Sequence, residues 1–301
     1  MRILIALGGN ALLRRGEQAD AVTQRRHLEA AAGGIASIAK RDEVVVTHGN
    51  GPQVGLLALQ SESYPEVPPY PLDVLGAESE GMIGYMLEVA LRNALPGREL
   101  ITVLTEVVVN PEDAAFERPT KPVGPVYGME EGARLGAERG WTMGPDGAGV
   151  RRLVPSPEPE ALVQLAGLRL LLDAGVLLIC AGGGGIPVTI DEDGGFRGVE
   201  AVVDKDLTAA LLARRLGADL LLMLTDVDAV RLGFGTGGER PIGRTTPEEL
   251  RSHEFEAGTI GPKVEAACRF VEATGKPAAI GALGEARLVA AGERGTFVRA
   301  A

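Results

Sequence analysis

The chain has 301 residues, 30 basic against 41 acidic, and a formal charge of −11. That length holds one large domain or two coupled lobes, and 45% hydrophobic with 24% charged residues excludes an intrinsically disordered chain. The acidic balance argues against nonspecific nucleic-acid binding, which needs basic side chains to displace counterions, yet a small anion can still be held by a few local lysines and backbone N–H groups.

The longest apolar stretches, Val176–Ala181 and Leu220–Leu224, have the length of strands and are too short to cross a membrane. Met1–Leu7 leads straight into a strand-like run without an export signal. Cys180 and Cys268 lie far apart in apolar contexts and read as packed core thiols rather than a metal site or disulfide. A cytoplasmic location is the expectation.

In chain order, Ile3–Leu7 is predicted as a strand, Thr23–Lys40 as a helix, Val44–Thr47 as a strand and Gln53–Ser61 as helical. Leu72–Ala94 reads as a long helix and Leu100–Val109 as a strand. Glu158–Asp173 is predicted as a helix feeding the strand Val176–Ala181, and Asp204–Leu216 as a helix before the strand Leu220–Thr225. Near the end Val264–Ala273 is helical, with strands at Ala278–Ile280 and Thr296–Val298. This alternation predicts an α/β fold with a mainly parallel sheet, whose ligands gather at the carboxyl ends of the strands. The stretch Glu112–Pro159 breaks the rhythm with dense proline and the only tryptophan, Trp141. Proline at that density excludes central strands and helix interiors, so the stretch reads as an inserted subdomain or a long surface loop. Val123–Tyr127, Trp141–Met143 and Val150–Val154 could build a small sheet within it.

Glycine is the abnormal entry, with 42 residues, about twice the usual share. Three predicted strands run into glycine clusters: Gly8-Gly9-Asn10, Gly49-Asn50-Gly51 followed by Pro52, and Gly182–Gly185. Any one of them could be only a tight turn. On neighbouring strand ends they suggest backbone N–H groups turned around more than one phosphate-like group, with Pro52 opening a helix and Asn10 and Asn50 adding amide donors. No G-x-x-x-x-G-K-[ST] occurs, and Gly185-Ile186-Pro187-Val188 continues as an extended segment, against a dinucleotide fingerprint.

Lysines are placed where they are disfavoured. Lys205 follows the helix-capping Asp204, and Lys263 follows Gly261-Pro262 at another helix opening. A cation there opposes the helix dipole by some tenths of a kcal/mol, a conflict that a shared anion removes. Lys121 stands in Pro119-Thr120-Lys121-Pro122, stiffened by the prolines. Asp226 and Asp228, in Thr225-Asp226-Val227-Asp228, can bind ribose hydroxyls, orient lysines or merely shape the turn. His48 is given no role.

These residues resemble carbamate kinase. The resemblance is carried by Ala6–Leu12, Thr47–Gly55, Pro119–Gly124, Arg151–Pro157, Gly182–Pro187, Gly198–Leu207 and Gly261–Ala266, in order along essentially the whole chain. It implies an open αβα sandwich of the amino acid kinase type with a mainly parallel central sheet. Residues 1–196 would form the lobe for carbamate or carbamoyl phosphate, carrying a protruding subdomain at about 112–159, and residues 197–301 the nucleotide lobe. It also implies a cytoplasmic homodimer using ATP or ADP with Mg²⁺. Acetylglutamate-kinase-like relatives carry a lysine where this chain has Ala6, and Lys205 resembles its replacement. Thr259-Ile260 and Val150 depart from the usual pattern.

The expected site follows. Lys205 and Lys263 neutralise the transferring phosphoryl group, Asp206 orients both, and Lys121 closes from the subdomain. Gly8, Gly9, Asn10, Gly49, Asn50 and Gly51 line the substrate and phosphoryl positions. Gly183, Gly184, Thr225, Asp226, Val227 and Asp228 join Lys263 around the nucleotide. No protein metal site is expected, Mg²⁺ being carried mainly by ATP phosphates. The rival readings are another phosphotransferase of the superfamily, acting on acetylglutamate or isopentenyl phosphate, and a noncatalytic sensor of carbamoyl phosphate or nucleotide.

Overall fold

The computed structural model describes residues 1–13, 17–235, 237–255 and 260–301, and for residues 10 and 11 the backbone alone. Its centre is an eight-stranded sheet, in the order Arg244–Thr245, Thr296–Val298, Ala278–Ala282, Leu220–Thr225, Arg2–Leu7, Glu43–His48, Leu177–Cys180 and Leu100–Val103. All its pairings are parallel except that of Ala278–Ala282 with Thr296–Val298.

The inner strands bury both faces because their sequences are apolar along most of their length, as a covered parallel sheet requires. In Arg2–Leu7, Leu4 and Ala6 join the core beneath helices Lys205–Leu216 and Gly261–Thr274. Ile3, Ile5 and Leu7 join the opposite core, beneath Ala21–Ala39 and Leu72–Ala94. The result is the open αβα sandwich, and among the described residues no helix is long and apolar enough to cross a membrane.

Two predicted elements are corrected. Leu100–Val109 is not one strand: Leu100–Val103 ends the central sheet, whereas Glu106–Val109 belongs to a second, four-stranded sheet with Phe196–Gly198, Ile186–Ile190 and Pro159–Leu162. The break falls at Thr105, which is fully buried and whose N–H donates to the Glu80 carboxylate, 3.3 Å, instead of continuing a ladder. Glu158–Asp173 is not one helix either. Pro159–Leu162 pairs antiparallel with Glu106–Val109, and the helix starts only at Leu165. Pro157 and Pro159 disfavour helical backbone in the residues before them, so the apolar run begins extended.

The proline-rich stretch forms a small subdomain. Strands Lys121–Tyr127, Gly149–Val154 and Thr142–Asp146 make an antiparallel three-stranded sheet. The helix Met129–Arg139 was not anticipated from sequence. It occupies a proline-free interval, with Glu130 and Glu131 in its first turn, Arg139 in its last and Gly140 ending it at φ +67°. The subdomain docks at Gly55, where a Cβ would come 2.9 Å from the Gly124 Cα.

Candidate active site

Four adjacent parallel strands, Leu220–Thr225, Arg2–Leu7, Glu43–His48 and Leu177–Cys180, end on one edge. The loops that follow are those singled out by sequence: Thr225–Asp228, Gly8–Asn10, Gly49–Gly51 and Gly182–Gly185. Gly8 N donates to Leu224 O at 2.7 Å and Gly49 N to Leu7 O at 3.0 Å, which draws the first three together.

Lys205 opens its helix behind the N-cap Asp204, whose Oδ1 accepts from the N–H of Asp206, 2.9 Å, and Leu207, 3.2 Å. Its stem crosses Gly49, where a Cβ would lie 3.3 Å from Lys205 Cε. The ammonium donates to Asp206 Oδ1 at 2.7 Å, while Lys263, from the first turn of Gly261–Thr274, donates to Asp206 Oδ2 at 3.0 Å. Two helices packed side by side on the same face of the sheet thus deliver two cations to one buried carboxylate, leaving a net charge of about +1.

The three groups perturb one another. Burial pushes the Asp206 carboxyl up, but the two ammonium groups outweigh it and hold its pKa at about 2. Burial lowers the Lys205 pKa, yet the Asp206 charge and hydrogen bond leave it above the ordinary lysine value. Lys263 goes the other way: burial and the Lys205 charge lower it further than Asp206 restores it. Desolvated cations facing glycine loops suit an anion whose charge changes during reaction.

Lys121 is set above this group. Its Nζ donates to Asp204 Oδ2 at 2.6 Å, so the subdomain is tied to the N-cap of the lysine-bearing helix. Asn50 does not cap its own helix, Gly51–Ser63; its amide donates to Ser79 Oγ at 2.8 Å. The Asn10 side chain and Thr259 lie outside the described residues.

The Gly182–Gly185 turn differs from the expectation of a phosphate cradle. Its N–H groups are largely spent inside the protein: Gly182 donates to Glu80 Oε1 at 2.8 Å, Gly184 to Ala181 O at 3.1 Å and Gly185 to Gly182 O at 3.0 Å. Glycine is required here for another reason. Gly183 and Gly184 hold φ of +70° and +103°, and a Cβ would meet the Asn50 amide at 2.0 Å or Val203 O at 2.4 Å. The turn therefore presses directly on Asn50 and on the start of the Lys205 helix.

On the other flank Thr225 is buried and its hydroxyl donates to Asp226 Oδ1 at 2.9 Å. Val227 is half-buried, and Asp228 points outward to Arg231 at 2.9 Å. His48 is completely buried, its Nδ1 3.1 Å from Gly49 O; burial drops its pKa to about 4, so the ring is neutral. Among the described residues no group of three or more His, Cys, Asp or Glu side chains could hold a metal ion. Sequence reasoning missed Glu80. It lies 1% exposed in Leu72–Ala94, and its signal was an acid on the buried helical stripe with Leu72, Leu75, Ser79, Ile83 and Leu87.

The model of the amino acid kinase family matches residues 1–282. The chain is 54% identical to the carbamate kinase of Rhizobium meliloti, over 99% of this chain and 93% of that protein. It is 50% identical to that of Haemophilus influenzae, over 99% and 96%. Among solved structures, a carbamate kinase from Giardia lamblia bound to AMP-PNP superposes with a TM-score of 0.92 at 40% identity, covering 100% of this chain and 98% of that one. The chain belongs to the amino acid kinase family. Within it the protein is a kinase, an enzyme of phosphoryl transfer.

Proposed function

We propose that the protein is a carbamate kinase, interconverting ATP plus carbamate with ADP plus carbamoyl phosphate. The observation that carries this reading is the buried Lys205–Asp206–Lys263 group beside the glycine loops, in a chain sharing half its residues with carbamate kinases along its full length. Carbamate brings its own anionic oxygen, so attack on the γ-phosphorus needs no general base. The neutral, enclosed His48 accords with that chemistry. The task left to the protein is to bring two anions together and to stabilise charge on the phosphoryl group.

Lys205 and Lys263 neutralise the equatorial oxygens, and Asp206 fixes both ammonium groups before substrate arrives. Gly8, Gly9, Asn10, Gly49, Asn50 and Gly51 line the phosphoryl and carbamate positions in the lobe 1–196, with Lys121 closing over them from the subdomain. The nucleotide takes the 197–301 side, along Thr225, Asp226, Val227 and Asp228 and against Lys263, while Gly183 and Gly184 shape the wall. Both Asp206 oxygens are taken by ammonium groups, so Mg²⁺ enters on the nucleotide phosphates as part of that substrate. A cytoplasmic homodimer belongs to the same reading. Its support is the free, buried state of both cysteines and a sheet edge at Leu100–Val103 that leaves Ile101 and Leu104 exposed.

The test is direct. Purified protein with ADP, Mg²⁺ and carbamoyl phosphate should form ATP, whereas acetylglutamate or isopentenyl phosphate with ATP should yield no ADP. The opposite pattern assigns the site to a sister kinase, and ligand binding without turnover assigns it to a sensor.

A further inference from the structure

Glu80 is a buried acid that the chemistry above leaves unused. Its carboxyl takes the N–H of Gly182 at 2.8 Å and of Thr105 at 3.3 Å, and no ion pair joins it among the described residues. Thr105 Oγ1 accepts from Ala181 N at 3.0 Å and donates to Val103 O at 2.9 Å, while Thr47 Oγ1 donates to Ala181 O at 2.7 Å. Together they clamp Ala181 at φ +52°, ψ +37°, the one positive-φ residue other than glycine among those described. A side chain in that region costs on the order of 1 kcal/mol or more and persists only where its surroundings over-determine it. Beyond the clamp, Gly183 abuts Asn50, and Gly184 abuts Val203 O and Lys205 N and accepts from Thr208 Oγ1 at 2.9 Å. A continuous chain of contacts thus runs from Glu80 to the first turn of the Lys205 helix.

We propose that Glu80 is a positioning residue, whose buried carboxyl group holds the Ala181–Gly185 turn against Asn50 and Lys205 and so sets the anion-binding geometry of the site. Burial shifts this group toward its protonated form. Burial drives its pKa up to about 8 against the pull of the Gly182 and Thr105 N–H groups, and Glu106, on the neighbouring strand, pushes it the same way. The Cys180 thiol beside it is driven up by burial and by Glu80 itself. The His48 ring, across Gly182, is uncharged, and its Nε2 has no hydrogen-bond partner. Ionisation of Glu80 therefore puts an uncompensated negative charge behind a site that must gather two anions, and binding of either anion must favour the protonated form in return.

This inference rests on the phosphotransfer site assigned above, and its test reads binding as well as turnover. Wild type, Glu80→Gln and Glu80→Ala, as full chains, are assayed for ATP formation from carbamoyl phosphate and ADP between pH 6.5 and 9.5, kcat and KM separately. ADP affinity is measured by calorimetry at pH 7 and pH 9, where its phosphates are already ionised. A single group of pKa about 8 allows wild-type kcat/KM and ADP affinity to fall by up to about tenfold between those pH values. Glu80→Gln should fall by less than about twofold over the same interval. Glu80→Ala should raise KM and lower kcat at every pH, and the Gln variant should recover most of that loss at pH 7. Superimposable profiles for wild type and Glu80→Gln overturn the proposal, and so does a Gln variant as damaged as the Ala one. If Glu80→Ala does not fold, wild type against Glu80→Gln decides alone. If wild type makes no ATP at all, the carbamate kinase reading fails while calorimetry still decides Glu80: a pH dependence of ADP binding lost in Gln upholds it, and an unchanged one sinks it.

Discussion

Two lysine–carboxylate systems share one helix turn, and they differ in depth rather than in distance. Lys205 and Lys263 meet Asp206 at 2.7 and 3.0 Å with the lysine side chains 13% and 11% exposed; Lys121 meets Asp204 at 2.6 Å but is 36% exposed. A desolvated ion group is costly to break, because removing one member leaves another charge buried without its partner. An exposed pair contributes a few tenths to about 1 kcal/mol and exchanges partners readily. In the proposed mechanism depth divides the work: the buried group would supply charge already in place when the phosphoryl moves, and the exposed pair a cation that can leave Asp204 for a ligand.

The largest effect expected from that division is on turnover. Lys205→Ala or Lys263→Ala should lower kcat by about 10²–10³, the loss typical of one transition-state donor. Initial rates of ATP formation at saturating substrates measure it, and wild-type turnover in either variant removes that lysine from the mechanism.

Next in size is the acid stability of the buried group. The Asp206 pKa lies at about 2 in the fold against an ordinary 3.8. A depressed carboxylate stabilises the fold fully above the unfolded value and loses that contribution as pH falls through the folded one. The window is therefore between about pH 4 and pH 2, and the contribution is on the order of 2 kcal/mol. Urea unfolding across that window should show a smaller decline for Asp206→Asn than for wild type. Equal declines would mean that Asp206 is not held as an anion by its lysines.

Lys121→Ala comes third. Losing a half-exposed charged contact of about 1.4 kcal/mol corresponds to a roughly tenfold rise in KM for carbamoyl phosphate, with kcat changed by less than about threefold. Added salt should raise the wild-type KM and leave the variant's nearly unmoved. A kcat loss as large as that of Lys205→Ala would erase the distinction between the two systems.

How much of this could be read from the chain depends on how local each signal is. Lys205 and Lys263 were legible because a cation in the first turn of a helix is a conflict visible in a few residues, and Asp204 announces that helix as its cap. The glycine loops were legible as strand ends, but not the purpose of Gly183 and Gly184. Their positive φ and their contacts with Asn50 and Val203 come from residues far away in sequence. Glu80 looks like any acid in a long helix until Gly182 and Thr105, 102 and 25 positions away, bring their N–H groups to it. The redirection of the chain at Thr105 was hidden for the same reason: the apolar pattern of Leu100–Val109 runs on through a break made by tertiary contact.

The smallest effect should come from the seam where the subdomain rests on the body. Two guanidinium groups lie over the Trp141 ring, Arg139 at 4.8 Å and Arg152 at 4.5 Å from its centre. Arg152 continues to Glu200 at 2.7 Å and Arg139 to Glu62 at 2.6 Å, so each cation is shared between the ring and a carboxylate of the body. Glu200 is about half exposed, which limits the Arg152 link to the range of a surface ion pair, with a cation–π contribution of about 0.5–1 kcal/mol beside it. Arg152→Ala should therefore shift the unfolding free energy by no more than about 1 kcal/mol. Because Lys121 sits on the same subdomain, loosening the seam should also raise KM about two- to threefold with kcat held, a weak copy of Lys121→Ala. The single tryptophan reports the event independently, since its emission should move to the red as water reaches the ring. A red shift with unchanged KM would show that Lys121 is positioned by Pro119, Pro122 and Asp204 rather than by the seating of the whole subdomain.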